Sequence, residues 1–173
     1  MSMINKEINL LLWIQNHIRN EKMNKLWKAV TSLSDAGWFW IAINIILIIN
    51  IKTRIAGFYA FVGMIIQALI VNCVIKIATN RSRPFEINNS IVPLGRIPKD
   101  RSFPSGHTSV AFTSAFIYLQ SLPLWFGVVM LFIAILIAFS RMYLGVHFLT
   151  DVIGGIVVAF IVAMCIVSKI MII

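Results

Sequence analysis

The sequence predicts an all-α fold, a polytopic membrane helix bundle of about five to six transmembrane helices that follow an amphipathic N-terminal helix. Of the 173 residues, 60% are hydrophobic and only 12% are charged, whereas a soluble domain is typically about a quarter charged. The charged side chains fall in clusters that long apolar runs separate. The N-terminal segment differs, because its apolar and polar residues alternate at helical spacing.

Uncharged runs define the predicted spans, and they cover residues 36–51, 55–75, 102–140 and 152–168. A membrane-spanning helix needs about 20 residues. The run 102–140 must therefore fold back on itself, and we expect the hairpin next to Pro123. The predicted spans are 36–52, 55–79, 105–120, 122–140 and 148–170. One long N-terminal helix that continues through Asn50 would make six crossings.

The chain is predicted to form a single domain over residues 1–173, with interfacial helices in 1–35 and the transmembrane bundle in 36–173. Apolar residues recur on one face of the first helix at Ile4, Ile8, Leu11, Ile14 and Ile18, which is typical of a helix at the membrane interface. A second surface helix is expected around Trp27, whose neighbours are lysines.

The net charge of +9 indicates either loop cations that face anionic lipid or cations that hold an anionic substrate. Nucleic-acid binding is not expected, because no soluble basic patch is present. Cys73 and Cys165 lie far apart in apolar stretches and predict neither a disulfide framework nor a metal site. Two predicted spans separate the long polar loop 80–103 from the link 141–147, so both segments emerge on the same side of the membrane.

Lys76 and Arg83 form the first of three chemically active clusters on that side. Their spacing of seven residues places them on one face of a helix, which Pro84 is expected to end at Arg83. Lys76 lies inside an apolar segment, where an ammonium is costly and indicates a function. Arg81 is interpreted as a simple cationic anchor of the helix end.

The second cluster is Phe103-Pro104-Ser105-Gly106-His107, which opens the third span. A helix N-terminus offers free N–H groups, Ser105 can cap it, and Gly106 lets an anion approach the backbone. An ordinary helix cap that is followed by an interfacial histidine would explain the same residues.

The third cluster contains Arg141, His147 and Asp151. His147 and Asp151 are four residues apart, so one helical face can hold them in contact. A carboxylate on one imidazole nitrogen leaves the other nitrogen free as a nucleophile or base. The alternative is a structural Asp–His hydrogen bond at a helix start.

Together the clusters predict phosphoryl transfer without a metal ion or another cofactor. Two histidines, one carboxylate, three deep cations and a helix N-terminus supply a nucleophile, an acid and positive charge for the transferring oxygens. A two-metal site would need several carboxylates, and only Asp151 is placed to serve. Zinc on the two histidines and Asp151 is an alternative that the neighbouring arginines disfavour, because they would repel the ion.

Three segments resemble the signature motifs of the type 2 phosphatidic acid phosphatase superfamily: Lys76-x6-Arg83-Pro84, Pro104-Ser105-Gly106-His107 and Ser140-Arg141-x5-His147-x3-Asp151. The resemblance implies roles for the individual residues. His147 would be the nucleophile that forms a phosphohistidine, Asp151 its orienting partner, and His107 the general acid. The implied phosphate-binding set is Lys76, Arg83, Ser105, Gly106 and Arg141.

The resemblance also implies a lipid phosphatase of the cell membrane that needs no cofactor, with its active site on the extracytoplasmic face. The expected partners are the bilayer and a lipid phosphate, namely undecaprenyl pyrophosphate, phosphatidylglycerophosphate or phosphatidate. Two other functions are considered. A non-catalytic phospholipid-binding or transport protein would need the cations but not His107 or Asp151. A vanadate-dependent oxidase is disfavoured, because its soluble members lack such a membrane framework.

Overall fold

The computed structural model describes residues 2–170, and within that range it contains helices and no β-strand. The all-α prediction is therefore confirmed. The helices are α1 (Met3–His17), α2 (Glu21–Ser32), α3 (Trp38–Ile49), α4 (Arg54–Leu69), α5 (Lys76–Thr79), α6 (Pro84–Ile87), α7 (Gly106–Ser121), α8 (Leu124–Tyr143) and α9 (Leu149–Ile170). A 3-10 turn at Asp35–Gly37 joins α2 to α3, and a π-helical segment at Ile70–Ile75 joins α4 to α5.

Helix α7 is the centre of the bundle and packs against α4, α8 and α9. Its buried residues point in several directions and include serines and threonines as well as Phe112, Ile117 and Tyr118. Around α7 these side chains form one core with Trp40 of α3 and Ile137 of α8. A helix that contacts protein on most sides does not need a single apolar stripe.

The outward faces of α3, α4, α8 and α9 are apolar. Each carries large hydrophobic side chains that are half exposed or more, such as Ile46, Phe58, Phe132 and Phe160. An exposed apolar surface of this extent is unusual for a soluble monomer and fits contact with lipid. The outer surface of the bundle is therefore suited to lipid, and buried polar side chains lie inside the bundle.

Within residues 2–170, three helical stretches are long and apolar enough to cross a membrane: Arg54–Ile87, Leu124–Tyr143 and Leu149–Ser168. The pair Glu21–Ser32 and Asp35–Ile49, which is bent by 45°, would add a fourth. Helix α7 does not qualify by length, because it has 16 residues. Helices α3, α4 with α5, α7, α8 and α9 nevertheless coincide closely with the five predicted ranges. The count of five to six crossings stays a prediction.

The predicted apolar face of α1 contacts protein. Ile8 and Leu11 pack with Ile91 and Phe148, and Ile14 packs with a second group around Tyr143. Helix α1 thus covers the loop 80–103 and the link between α8 and α9. These segments carry the candidate site.

Gly127 sets the close approach of α7 and α8. A Cβ atom at this position would lie 2.6 Å from the Cα atom of Leu119, and backbone cannot move aside as a side chain can. We expect Gly127→Ala to lower the free energy of unfolding by about 1–3 kcal/mol, because the two helices must separate.

The measurement is thermal unfolding of the purified protein in detergent. Val128→Ala is the matched control, because Val128 follows Gly127 on α8 and is half exposed. We expect the control to change the stability by about 0.5 kcal/mol at most. Equal stability of the Gly127→Ala variant and the wild type would contradict the close helix contact.

Candidate active site

The imidazole of His147 lies between a guanidinium and a carboxylate. Arg83 Nη1 is 3.3 Å from His147 Nε2, and His147 Nδ1 is 3.4 Å from Asp151 Oδ2. Because a guanidinium only donates hydrogen bonds, Nε2 presents its lone pair and the ring proton sits on Nδ1, which faces Asp151. Burial, opposed by Asp151 and reinforced by Arg141 and Arg83, holds the pKa of His147 well below its usual value. His147 is therefore a neutral imidazole near pH 7.

Asp151 is fully buried in the first turn of α9, and three further donors hold its carboxylate. Oδ1 accepts from Arg81 Nη1 at 2.7 Å. Oδ2 accepts from the Phe148 N–H at 2.8 Å and from the Ser102 hydroxyl. These bonds fix the carboxylate beside His147. The 3.4 Å contact is longer than a normal hydrogen bond.

Arg81 is not the simple helix-end anchor that the sequence predicted. Besides Asp151 it contacts Glu7 of α1, with 2.9 Å between Nη2 and Oε2. Glu7 is itself buried, and it accepts from the backbone N–H and the hydroxyl of Thr150 at 2.7 and 2.8 Å. A buried ion pair thus connects α1 to the start of α9.

Lys76 and Arg83 reach the site from separate segments. Helix α5 ends at Thr79, because Asn80 adopts a left-handed conformation with φ of 46°. The prediction that this helix continues to Arg83 is wrong. Arg83 has an extended backbone and begins the short helix α6, and its side chain is almost completely buried.

Asp100 occupies both of these cations. Its Oδ1 accepts from Arg83 Nη2 at 2.7 Å, its backbone oxygen accepts from Arg83 Nε at 2.8 Å, and its carboxylate also pairs with Lys76. Partial burial raises the pKa of Asp100, but the hydrogen bonds and charges of Lys76 and Arg83 outweigh that effect and hold it at about 2. The carboxylate therefore stays ionised through the physiological pH range.

The N-terminus of α7 lies beside the Lys76 ammonium. Ser105 caps the helix, and its hydroxyl oxygen accepts from Thr108 N at 3.4 Å and from Thr108 Oγ1 at 2.9 Å. Ser105 N donates to the backbone oxygen of Asp151 at 3.0 Å, which joins the starts of α7 and α9. A Cβ atom on Gly106 would lie 3.5 Å from Lys76 Nζ. Free helical N–H groups and an ammonium side by side are suited to an anion.

His107 and Arg141 face a cavity of about 510 Å³, whose wall also includes Asp35 and Asp100. Arg141 Nη1 donates to Thr31 Oγ1 at 2.5 Å, and its buried Nε has no partner among the described residues. His107 Nε2 is 2.8 Å from Asp35 Oδ1. The cavity therefore combines a buried cation that has spare donor capacity with a histidine that can carry a proton.

A second cavity of about 460 Å³ shares His107 and Asp100 with the first. Lys76 and Gly106 lie at its polar end, and the rest of its wall is largely apolar, with Ile41, Phe61, Ile65 and Val110. The apolar part is bordered by α3, α4 and α7. A molecule with a charged end and an apolar body fits this lining.

All eight predicted site residues lie at one end of the bundle: Lys76, Arg83, Ser105, Gly106, His107, Arg141, His147 and Asp151. Sequence reasoning missed Asp100, Asp35, Glu7 and Ser102, which lie outside the three motifs. The need of buried cations for counter-ions could have pointed to these acids. Buried cations need counter-ions, and few acids are present in the chain.

Within residues 2–170, no group of three or more His, Cys, Asp and Glu side chains is arranged to hold a metal ion. The two histidines instead have separate carboxylate partners, Asp151 and Asp35. Arg81 and Arg83 lie against the His147–Asp151 pair, where they would repel a metal cation.

The model of the PAP2 superfamily matches residues 56–171. An undecaprenyl-diphosphatase from Sulfolobus acidocaldarius is 34% identical to this chain over 118 residues, which are 68% of this chain and 57% of that protein. The chain thus spans little more than half the length of that relative. The matched family region contains all eight predicted site residues, whereas Glu7 and Asp35 precede it.

Two solved structures are similar over nearly the whole chain. A transmembrane PAP2 type phosphatidylglycerolphosphate phosphatase from Bacillus subtilis is 24% identical with a TM-score of 0.77, and the match covers 98% of this chain and 87% of that one. LpxE from Aquifex aeolicus is 24% identical with a TM-score of 0.83, and the match covers 97% and 99%. At this identity the likeness shows a common fold.

The position of Asp100 leads to a prediction about anion binding. Its carboxylate competes for the two cations that an incoming anion would use, so Asp100→Asn should bind inorganic phosphate about tenfold more tightly. Isothermal titration calorimetry of the purified protein in detergent would measure this affinity.

Glu21→Gln is the matched control, because it removes one exposed carboxylate from the N-terminus of α2, and its affinity should equal that of the wild type. Weaker phosphate binding by Asp100→Asn would show that Asp100 holds Lys76 and Arg83 in place instead of occupying their anion site.

Proposed function

The chain belongs to the PAP2 superfamily, and on that premise we propose that it is a membrane lipid phosphatase with a metal-independent phosphohistidine mechanism. The observation that carries the proposal is the contact of Arg83 Nη1 with His147 Nε2. It directs the lone pair of this nitrogen at the Arg83 guanidinium, one of the cations that would hold the phosphoryl group. A nucleophile beside fixed positive charge is what attack on an anionic phosphoryl group requires.

The substrate that we propose is a phosphate or pyrophosphate ester of a membrane lipid. Support comes from the second cavity, whose apolar wall leads to Lys76 and His107, so that a lipid tail and an anionic head group can be held together. Undecaprenyl pyrophosphate and phosphatidylglycerophosphate are our first candidates, since two similar proteins carry those activities in their names. Phosphatidate is the third.

In the first step, His147 Nε2 attacks phosphorus and the bond from phosphorus to the leaving oxygen breaks. Lys76, Arg83 and Arg141 stabilise the charge on the three transferring oxygens, after Asp100 has released the first two. Asp151 stabilises the positive charge that develops on the imidazole through Nδ1. The leaving oxygen takes a proton from His107.

In the second step, water attacks the phosphohistidine and the N–P bond breaks. His107, now neutral, accepts a proton from that water, and His147 returns to its neutral form. Inorganic phosphate leaves, and Asp100 can pair with the cations again. Both steps use the same charged groups, so no other acid or base is needed.

We further propose a single membrane domain, with residues 1–35 at the interface and 36–173 in the bundle, and with the active site on the extracytoplasmic face. Trp13 on α1 and Leu26 on α2 remain exposed, as suits the interfacial region. The positive-inside rule would place this cation-rich side in the cytoplasm, but we discount the cations of the site, because the proposed mechanism uses them to bind phosphate. Lys52 and Arg54 would then be cytoplasmic.

The mechanism predicts metal-independent release of phosphate. We would measure release from undecaprenyl pyrophosphate, phosphatidylglycerophosphate and phosphatidate with EDTA present, for the wild type and for His147→Ala. Wild-type release should survive EDTA, and the variant should lose about four orders of magnitude or more in kcat, as when other enzymes lose their nucleophile.

Acid-labile label from a ³²P-labelled substrate should appear on the wild type and not on His147→Ala, which identifies the phosphohistidine. Glu21→Gln again serves as the control and should retain full activity. Loss of activity in EDTA would point to a metal site. Tight lipid binding without turnover in the wild type would support a phospholipid-binding or transport protein.

The orientation predicts which thiols an impermeant maleimide can label on intact cells. Ser90 lies exposed in the loop 80–103 and Lys52 is exposed near the other end of the bundle. In a background without Cys73 and Cys165, which are both exposed, Ser90→Cys should react on intact cells. Lys52→Cys should react only after permeabilisation, and the reverse pattern would place the active site in the cytoplasm.

A further inference from the structure

The two histidines of the site, His107 and His147, each have their own carboxylate, and the two pairs are built differently. His147 pairs with Asp151, four residues along the chain in the matched family region. His107 pairs with Asp35, whose Oδ1 is 2.8 Å from His107 Nε2 and which precedes that region. The three motifs therefore account for the first pair only.

The charge of Asp151 is shared among several donors, whereas that of Asp35 is not. Arg81, Ser102 and the Phe148 N–H all donate to Asp151. Among the described residues, the Asp35 carboxylate has no hydrogen-bond or ion-pair partner except His107. His107 is thus the described residue that pairs directly with Asp35.

The turn that carries Asp35 is held in place by specific contacts. The buried Ser34 hydroxyl accepts from Trp40 Nε1 at 2.9 Å, and the Ser32 carbonyl accepts from Trp38 Nε1 at 2.7 Å. Gly37 has a φ of 71°, and a Cβ atom there would lie 3.1 Å from Met64 Cε. The turn therefore presents the carboxylate from a defined position at the bend between α2 and α3.

The contact fixes the roles of the two ring nitrogens of His107. An ionised carboxylate only accepts hydrogen bonds, so Nε2 carries a proton towards Asp35 and Nδ1 is left for the cavity. With both nitrogens protonated, Nδ1 is a donor. This state is the one that a general acid needs.

The other charged groups near His107 act in both directions. Burial of the ring, Arg141 of α8 and Lys76 of α5 disfavour a protonated imidazole, and the carboxylate of Asp100 is engaged by Lys76 and Arg83. The same cavity wall also carries three exposed cations, Lys28, Arg96 and Lys99. Asp35 is therefore the carboxylate left to offset the positive charge around His107.

We propose that Asp35 is a positioning residue that favours the protonated form of His107 and directs His107 Nδ1 at the leaving oxygen. The inference rests on the proposed function. As the bond from phosphorus to the leaving oxygen breaks, the proton moves from Nδ1 to that oxygen. Nε2 keeps its own proton, which stays hydrogen-bonded to Asp35. The neutral ring then accepts one proton from the water that attacks the phosphohistidine.

The test is Asp35→Asn with two substrates that differ in their need for a proton. For phosphatidate, whose alkoxide is a poor leaving group, kcat/KM should fall about 100-fold, within the usual range for general acid catalysis. For p-nitrophenyl phosphate, whose phenolate leaves without a proton, the fall should be less than about threefold. The basic limb of the phosphatidate pH profile should move down by about one pH unit, because an opposite charge next to His107 is lost.

Matched variants separate this role from a structural one. Asp35→Glu should recover part of the phosphatidate activity, and Glu21→Gln on α2 should behave like the wild type with both substrates. In a His107→Asn background, Asp35→Asn should cause no further loss. Thermal unfolding in detergent shows whether Asp35→Asn is folded. If it is not, the two substrates and the basic limb of the pH profile are compared between Asp35→Glu and the wild type.

Equal losses with both substrates, or an unmoved basic limb, in a folded variant would overturn the proposal. Failure of the proposed function has a different signature. In that case the wild type releases no phosphate, or His147→Ala remains active, whatever residue stands at position 35.

Discussion

The Asp151 carboxylate is the contact on which the geometry of the site depends. It receives Arg81 from the segment after α5, Ser102 from the long loop and the Phe148 N–H from the start of α9. It also adjoins His147 Nδ1. A carboxylate that is fully buried is tolerated only with partners of this number and charge. The fold therefore has to bring these segments together before His147 acquires a defined orientation.

The remaining charges extend this arrangement outwards. Arg81 joins Asp151 to Glu7 on α1, and Arg83 joins His147 to Asp100 in the loop. The anions and cations alternate, so most of the buried charges near the site have a partner of opposite sign. Among the described residues Arg141 is the exception, because its side chain donates a hydrogen bond to the neutral Thr31 hydroxyl. A site with one incompletely neutralised buried cation is prepared for an anion.

Much of this was predictable from sequence, for identifiable reasons. The helices agree with the apolar runs, because contact with lipid imposes that pattern on residues such as Phe58 and Phe132. Lys76 and Asp151 stood out, because lone charges in apolar runs are costly. Asp35 and Asp100 were missed, because an acid in a polar loop usually faces water. Only the folded chain shows that they meet His107 and Lys76, which are distant in sequence.

The same pair of residue types can serve two roles in one site, and the reason lies in the competing partners. Around His147, burial, Arg141 and Arg83 outweigh an aspartate whose charge is already shared, so the ring is neutral and its Nε2 lone pair faces Arg83. Around His107, the half-exposed Asp35, which pairs with no other described residue, favours a protonated ring. In the mechanism that we propose, the first His–Asp pair supplies the nucleophile and the second supplies the acid. The family motifs specify the first pair, and the turn before α3 supplies the carboxylate of the second.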